Sequence, residues 1–230
     1  MADDGLASNP ATFWNRRHEL SLAPITDEDV RQRAGGRGRH LVLLARITDD
    51  TVRSRVEPIL KRLDGFDCFA AQPTRNLHIT VKVLGNVVEN PQDEAEFAPE
   101  EEAELVAKLD DALEEATSFA VDIPRLNLFP DVVYAEVADD GRFAALNHRV
   151  CSIAGVPVRE RDRTGFIPHL TLGHFTRRDG YERLLQYLER NRSLDLPPRP
   201  VSELELVALD FSDGRFPPYE TVRTYDLSEP

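Results

Sequence analysis

Two stretches in which apolar and polar residues alternate constrain this chain more than any other feature. In residues 76–86, NLHITVKVLGN, Leu77, Ile79, Val81 and Val83 alternate with His78, Thr80 and Lys82. In residues 166–175, FIPHLTLGHF, His169, Thr171 and Gly173 alternate with Leu170, Leu172 and His174. A period of two is that of a half-buried strand, whose successive side chains point to opposite faces. Each stretch therefore predicts a strand that carries an imidazole and a hydroxyl on one face. Lys82 continues that face in the first strand, and Gly85-Asn86 reads as the turn that ends it.

The rest of the chain surrounds these strands with helices and further strands. HLVLLARI, from His40, reads as a buried strand. A helix follows, capped by Thr48, Asp49 or Asp50, with Val52, Val56, Ile59, Leu60 and Leu63 on one face. PEEEAELVAKLDDALEEA is an amphipathic helix whose acidic first turn suits the helix dipole. Residues 119–129 and 132–137 read as strands split by Pro130-Asp131. Residues 142–155 read as a helix closed by Gly155, residues 159–165 as an Arg-rich loop, 181–191 as a helix, and 203–212 and 219–227 as two closing strands. The order of strand, helix, His-x-Thr strand and helix occurs twice, which predicts two related α+β lobes facing each other. Residues 1–38 are polar and give no firm element, so they read as a partly ordered extension pinned by Phe13 and Trp14; the domain proper covers 39–230.

A base and an acid on facing strands suit the opening of a phosphodiester. Imidazole titrates near neutrality and serves in either role. In-line attack puts nucleophile and leaving oxygen on opposite sides of phosphorus, so His78 and His169 would flank the phosphate, while the hydroxyls of Thr80 and Thr171 donate to its non-bridging oxygens. One His-x-Thr arises by chance at about one position in 800. Two copies, each inside an alternating strand, are a far more specific signal.

Charge limits the partner. Asp and Glu number 41 against 28 Lys and Arg, a net charge of −13. Long nucleic acid bound non-specifically needs a basic footprint, so any RNA contact is local and short. The start, MADDGLASNP, lacks the basic flank and apolar run of a secretory signal, no apolar run is long enough to span a membrane, and the expectation is a cytoplasmic protein. Cys68 and Cys151 read as buried free thiols. Nothing in the sequence demands more than a monomer.

NLHITVKVLGN and FIPHLTLGHF resemble the paired signatures of the 2H phosphoesterase superfamily, and most of all its 2′-5′ RNA ligase/RNA 2′,3′-cyclic phosphodiesterase branch, the LigT-like proteins. HLVLLARI, RLNLFPDVVYAEV and LVALDFSDGRFPPYETVRTYDL resemble that branch's opening strand, central strand pair and closing hairpin, so the resemblance covers about residues 38–228. It implies an α+β fold of two pseudo-twofold-related lobes, each an antiparallel sheet with helices on the outside, around a central cleft. It implies hydrolysis of RNA 2′,3′-cyclic phosphate to a 2′-phosphomonoester without metal, ATP or other cofactor, on short RNA ends or small cyclic nucleotides. It assigns catalysis to His78, Thr80, His169 and Thr171, with the first His as acid toward the leaving oxygen and the second as base on water. The family often carries Arg three residues after the second Thr and five before the second His, where this chain has His174 and Thr164. Lys82, Arg163 and Arg161 are therefore the candidate phosphate-binding cations, and Tyr219 and Phe211 candidate base-stacking residues.

Three other readings remain open. The same acid–base pair serves a 2′-5′ RNA ligase, or an exonuclease leaving a cyclic phosphate. A nucleotide-binding module that keeps the cleft without turnover is the second. A metal site is the third, although no H-x-x-x-H or H-E-x-x-H occurs and alternation would put His169 and His174 on opposite faces.

Overall fold

A computed structural model describes residues 9–34, 38–163 and 165–229. In chain order the elements are α1 (Pro10–Asn15), a 3-10 turn at Arg17–Glu19, α2 (Asp27–Ala34), β1 (Arg39–Arg46), α3 (Asp50–Asp64), β2 (Phe69–Ala71), a 3-10 turn at Thr74–Asn76, β3 (His78–Val87), β4 (Glu96–Phe97) and α4 (Pro99–Leu113). There follow β5 (Phe119–Val121), β6 (Leu126–Leu128), β7 (Val132–Glu136), α5 (Arg142–Cys151), α6 (Glu160–Arg163), β8 (His169–Phe175), α7 (Tyr181–Arg190), β9 (Arg199–Val201), β10 (Glu203–Leu209), a 3-10 turn at Phe211–Asp213 and β11 (Glu220–Asp226).

The helices start where side chains satisfy their first amides. The Asp49 carboxylate accepts from the amides of Thr51 and Val52, and α3 buries Val52, Val56, Leu60 and Leu63 along one stripe. Asn9 caps α1 through the Ala11 amide, while Thr26 and Asp29 cap α2 reciprocally, Thr26 N to Asp29 at 2.7 Å and Asp29 N to the Thr26 hydroxyl at 3.2 Å. Polarity concealed both N-terminal helices: one is six residues long, the other has no apolar stripe, and caps rather than periodicity define them. The Arg-rich loop likewise contains a single helical turn, α6, and α5 stops at Cys151, before Gly155.

The main sheet runs β11-β10-β1-β3-β8-β7-β6, with β4 added parallel to β3 and β2 antiparallel to β8. Its main path is antiparallel throughout. It divides into two lobes, β11-β10-β1-β3 and β2-β8-β7-β6, whose only register pair among the described residues is Ile79↔Leu170. Helix α5 packs on β3, α4 on β11 and α5, and α3 on β2; β5 and β9 form a separate two-stranded sheet. Strand β1 is apolar on both faces, one in the main core and the other lining the cleft between the lobes. Leu41 and Leu43 enter the main core, while Val42 and Leu44 join Val207, Leu209, Val83 and Tyr219 on the opposite side.

Each His-x-Thr strand breaks its alternation one residue after the threonine. Leu43 pairs with Lys82 and Leu44 with Thr80, so Val81 is an extra residue; Val133 pairs with Gly173 and Tyr134 with Thr171, so Leu172 is extra. Such a bulge shifts the side chains that follow it to the other face, and in β3 a second irregularity, at Leu84, shifts them back. Val83 and His174 thus take over the face of the motifs, which corrects the expected orientations of Lys82 and His174.

The glycines of these strands are not turns. Strand β3 continues through Gly85-Asn86 to Val87, and a Cβ on Gly85 would lie 2.2 Å from the Ala95 carbonyl oxygen. At Gly173, with φ 152°, a Cβ would lie 2.3 Å from the Ala70 carbonyl oxygen and 2.6 Å from the Phe69 ring. Gly173→Ala is expected to cost about 3 kcal/mol in urea unfolding, because backbone and ring must both move; a change below about 0.5 kcal/mol would show that β2 does not pack this tightly against β8.

Candidate active site

The pair Ile79↔Leu170 joins the central residues of the two motifs. Their flanking residues, His78, Thr80, His169 and Thr171, all line one cleft of ≈ 1090 Å³. Paired there, the two motifs bring His78 and His169 close enough for the charge of one ring to bear on the other. The cavity between the lobes has room for a nucleotide.

Both rings are held in the same way. Nδ1 of His78 lies 2.8 Å from the carbonyl oxygen of Asn76, and Nδ1 of His169 lies 2.8 Å from that of Ile167, each two residues upstream. A carbonyl only accepts, so the Nδ1 proton is fixed on each ring and Nε2 is the nitrogen left with a lone pair. Nε2 of His78 is 3.1 Å from the Thr80 hydroxyl. The Tyr219 hydroxyl donates to the Asn76 carbonyl at 2.9 Å and lies 2.8 Å from Nδ1 of His78; Gln72 also donates to that carbonyl, and Asn76 itself is anchored to the Pro217 carbonyl at 2.8 Å. Tyr219 therefore orients His78, with Arg46 over its outer face, 5.1 Å from the ring centroid. On the other side, Phe129 and Tyr134 meet the His169 ring edge-on at 5.2 and 5.4 Å.

Burial dominates the electrostatics of the pair. It pushes His78 down to about 4, against the Asn76 hydrogen bond and with help from His169 and Arg46. Burial also lowers His169, opposed by the Ile167 hydrogen bond. Both rings are neutral bases at pH 7 in the free protein.

The candidate cations are distributed otherwise than alternation suggested. Lys82 contributes to the cleft wall, but its ammonium is buried against the Asp162 carboxylate, whose side chain is only 4% exposed. Asp162 also accepts from the Arg159 amide at 2.8 Å and from Asn147 at 3.2 Å. Burial pushes Asp162 up, and these partners together hold it below the usual carboxylate range. Arg163 is exposed and is not among the residues lining the cleft. Arg161 lines it, and so does Arg159, which sequence reasoning missed; burial and the neighbouring Arg161 lower the Arg159 guanidinium. Thr164 lies outside the described residues.

Phe211 stands at the rim beside His40, ring centroids 5.6 Å apart, and His174 stacks on Phe216 at 5.2 Å. Gln72, Asn76, Phe13 and Phe129 also line the site, with no motif to reveal them. Among the described residues, no three His, Cys, Asp or Glu side chains are grouped to hold a metal ion. Cys68 is buried and Cys151 half-buried, both free, and among the described residues no helix is long and apolar enough to cross a membrane.

A bilobal α+β fold with one His-x-Thr strand from each lobe at its seam defines the two-histidine phosphoesterases, enzymes of phosphoryl transfer. Residues 48–210 match the model of the 2′-5′ RNA ligase superfamily, and the chain belongs to that family. Its fold is similar to that of E. coli LigT in complex with 3′-AMP (17% identity, TM-score 0.60, covering 83% of this chain and 99% of that one). It is also similar to a phosphoesterase (21%, 0.58, 84% and 99%) and to TT0787 of Thermus thermophilus (17%, 0.56, 83% and 98%). No functionally curated sequence matches it.

Proposed function

We propose that this protein hydrolyses the 2′,3′-cyclic phosphate of a short RNA end or nucleotide to a 2′-phosphomonoester, without a metal. The observation that carries this reading is the twinned geometry at Ile79↔Leu170: two imidazoles with Nδ1 fixed and Nε2 facing one cleft. His169 takes a proton from the attacking water as its oxygen bonds to phosphorus. The P–O3′ bond breaks, and His78 delivers its Nε2 proton to the leaving 3′-oxygen. While His78 is neutral the Thr80 hydroxyl donates to Nε2; once Nε2 is protonated, that hydroxyl is released to donate, with Thr171, to the non-bridging oxygens. Arg159 and Arg161 supply positive charge at the same cleft. Complexes of E. coli LigT with 3′-AMP and with phosphate support a ligand of this size and kind.

The 2′-5′ ligation reading is favoured by the family match. It uses the same step with a 5′-hydroxyl in place of water. Incubation of a cyclic-phosphate oligonucleotide with and without a 5′-hydroxyl RNA separates the two, and is expected to give 2′-phosphate in both cases, with EDTA without effect. Nucleotide binding with no turnover, or loss of turnover on chelation, would overturn the proposal.

The pH profile follows from the lowered imidazoles. Catalysis needs one ring protonated and one neutral. Both titrate below the usual 6.5 in the free protein, so the singly protonated form is most populated on the acid side of that value. The kcat/KM profile is expected to peak below pH 6.5 and to fall about tenfold per unit well above it. A peak in kcat/KM at about pH 8 would contradict this assignment.

A further inference from the structure

We propose that residues 9–34 form a strap that closes one end of the cleft and makes the enzyme prefer mononucleotide-sized cyclic phosphates. The inference rests on the cyclic-phosphate reading and narrows its substrate. The segment precedes residues 48–210, the part matched to the superfamily.

Its course is fixed by main-chain bonds to both lobes. Asn127 of β6, fully buried, donates to the Pro10 carbonyl at 2.8 Å. Trp14 is buried, with two guanidiniums over its ring, Arg192 4.0 Å and Arg17 4.8 Å from the centroid. The Tyr181 hydroxyl donates to the Arg17 carbonyl at 2.7 Å. The Ala23 amide then donates to the Pro130 carbonyl, and the Ile25 amide to the Phe175 carbonyl, both at 2.8 Å. These partners belong to the lobe of His169 or to α7 and the turn beyond it.

Ile25 is the crossing point. Its amide is held by Phe175 at the end of β8, and its carbonyl accepts from Arg215 at 2.7 Å. Arg215 lies between the 3-10 turn at Phe211–Asp213 and β11, in the closing hairpin of the lobe of His78, and also pairs with Asp27 at 2.8 Å. One residue of the strap thus ties the two lobes together across the space between them.

Phe13, Ala23, Pro24, Ile25, Asp29 and Gln32 all line the cleft that holds the two histidines. The strap is therefore a wall of the catalytic cavity. A polynucleotide continuing from the reactive ribose on this side would have to displace the Ile25 crossing. It would also approach the acidic first turn of α2, Asp27, Glu28 and Asp29, which opposes phosphate. A nucleoside cyclic phosphate meets neither obstacle.

The test compares kcat/KM for adenosine 2′,3′-cyclic phosphate with that for a ten-nucleotide RNA ending in the same group. The wild-type protein is expected to favour the mononucleotide at least about tenfold. Arg215→Gln, which frees Ile25 and α2 from one lobe, and deletion of residues 1–34 are each expected to raise the oligonucleotide-to-mononucleotide ratio about tenfold. Equal wild-type values overturn the proposal, whether or not the deletion variant folds. So does an unchanged ratio in Arg215→Gln together with an unchanged ratio in any deletion variant that melts cooperatively. Failure of the wild type to hydrolyse either substrate counts against the cyclic-phosphate reading instead. In that case Kd values for adenosine 2′-monophosphate and a 2′-phosphorylated oligonucleotide read the strap directly: tighter mononucleotide binding supports it and equal binding overturns it.

Discussion

Replacing either His78 or His169 with alanine is expected to lower kcat on a 2′,3′-cyclic phosphate by about 10³ or more, with little change in melting temperature. In the proposed mechanism each ring makes one of the two proton transfers, and a positioned acid or base contributes roughly 10²–10⁴. The rings also set the geometry of the phosphate, so the loss falls at the upper end of that range. The double variant should be little slower than either single one, because groups that act as a unit are not additive. Thr80→Ala and Thr171→Ala each remove one donor to a charged oxygen and should cost about ten- to hundredfold. Stability should survive because both rings sit at the cleft face, while the core beneath is made by Ile79, Val81, Leu170 and Leu172. Near-normal turnover by either histidine variant would remove the acid–base mechanism.

Lys82→Met is expected to destabilise the fold by about 3–5 kcal/mol, measured by urea unfolding. The substitution keeps the length of the stem but leaves the Asp162 carboxylate buried without its counter-charge. Lys82→Met with Asp162→Leu should recover much of that loss, since an apolar pair of similar volume replaces a desolvated ionic one. The double variant still lacks the acceptor of the Arg159 amide, so the turn carrying Arg159 and Arg161 loses an anchor. Restored stability with a raised KM would identify the ion pair as the support of that turn. The opposite pattern in Lys82→Met, weaker phosphate binding at full stability, would make Lys82 the free cation that its place in the alternation suggests.

The His-x-Thr strands, the amphipathic helices α3, α4 and α7 and the closing hairpin are legible in the sequence because each repeats a single period over five or more residues. The bulges at Val81 and Leu172 are not, because an extra residue leaves no mark of its own in a pattern of apolar and polar letters. From that point the faces are inverted, which is why alternation alone puts Lys82 with His78 and His174 opposite His169. Gly85 and Gly173 are visible as glycines, but their reason, the approach of a second strand, lies far off in the sequence. Asn76 and Ile167 act on the histidines through main-chain carbonyls, which any residue supplies. Arg159 is hidden among the other charges of one short segment, and only burial distinguishes it. The tethering of Ile25 is likewise a main-chain property, in a stretch whose side chains show no period.

The single register pair at Ile79↔Leu170 has a mechanical consequence. Within either lobe the ladders span several residues, so bending a sheet breaks many amide–carbonyl bonds at once. At the seam, a hinge-like opening of one lobe against the other gives up the sheet bonds of a single residue pair among the described residues, and works against the Ile25 ties of the strap. The softest mode of the sheet therefore passes through the middle residues of the two motifs. Breathing along it changes the separation of the imidazoles while each keeps its own carbonyl partner.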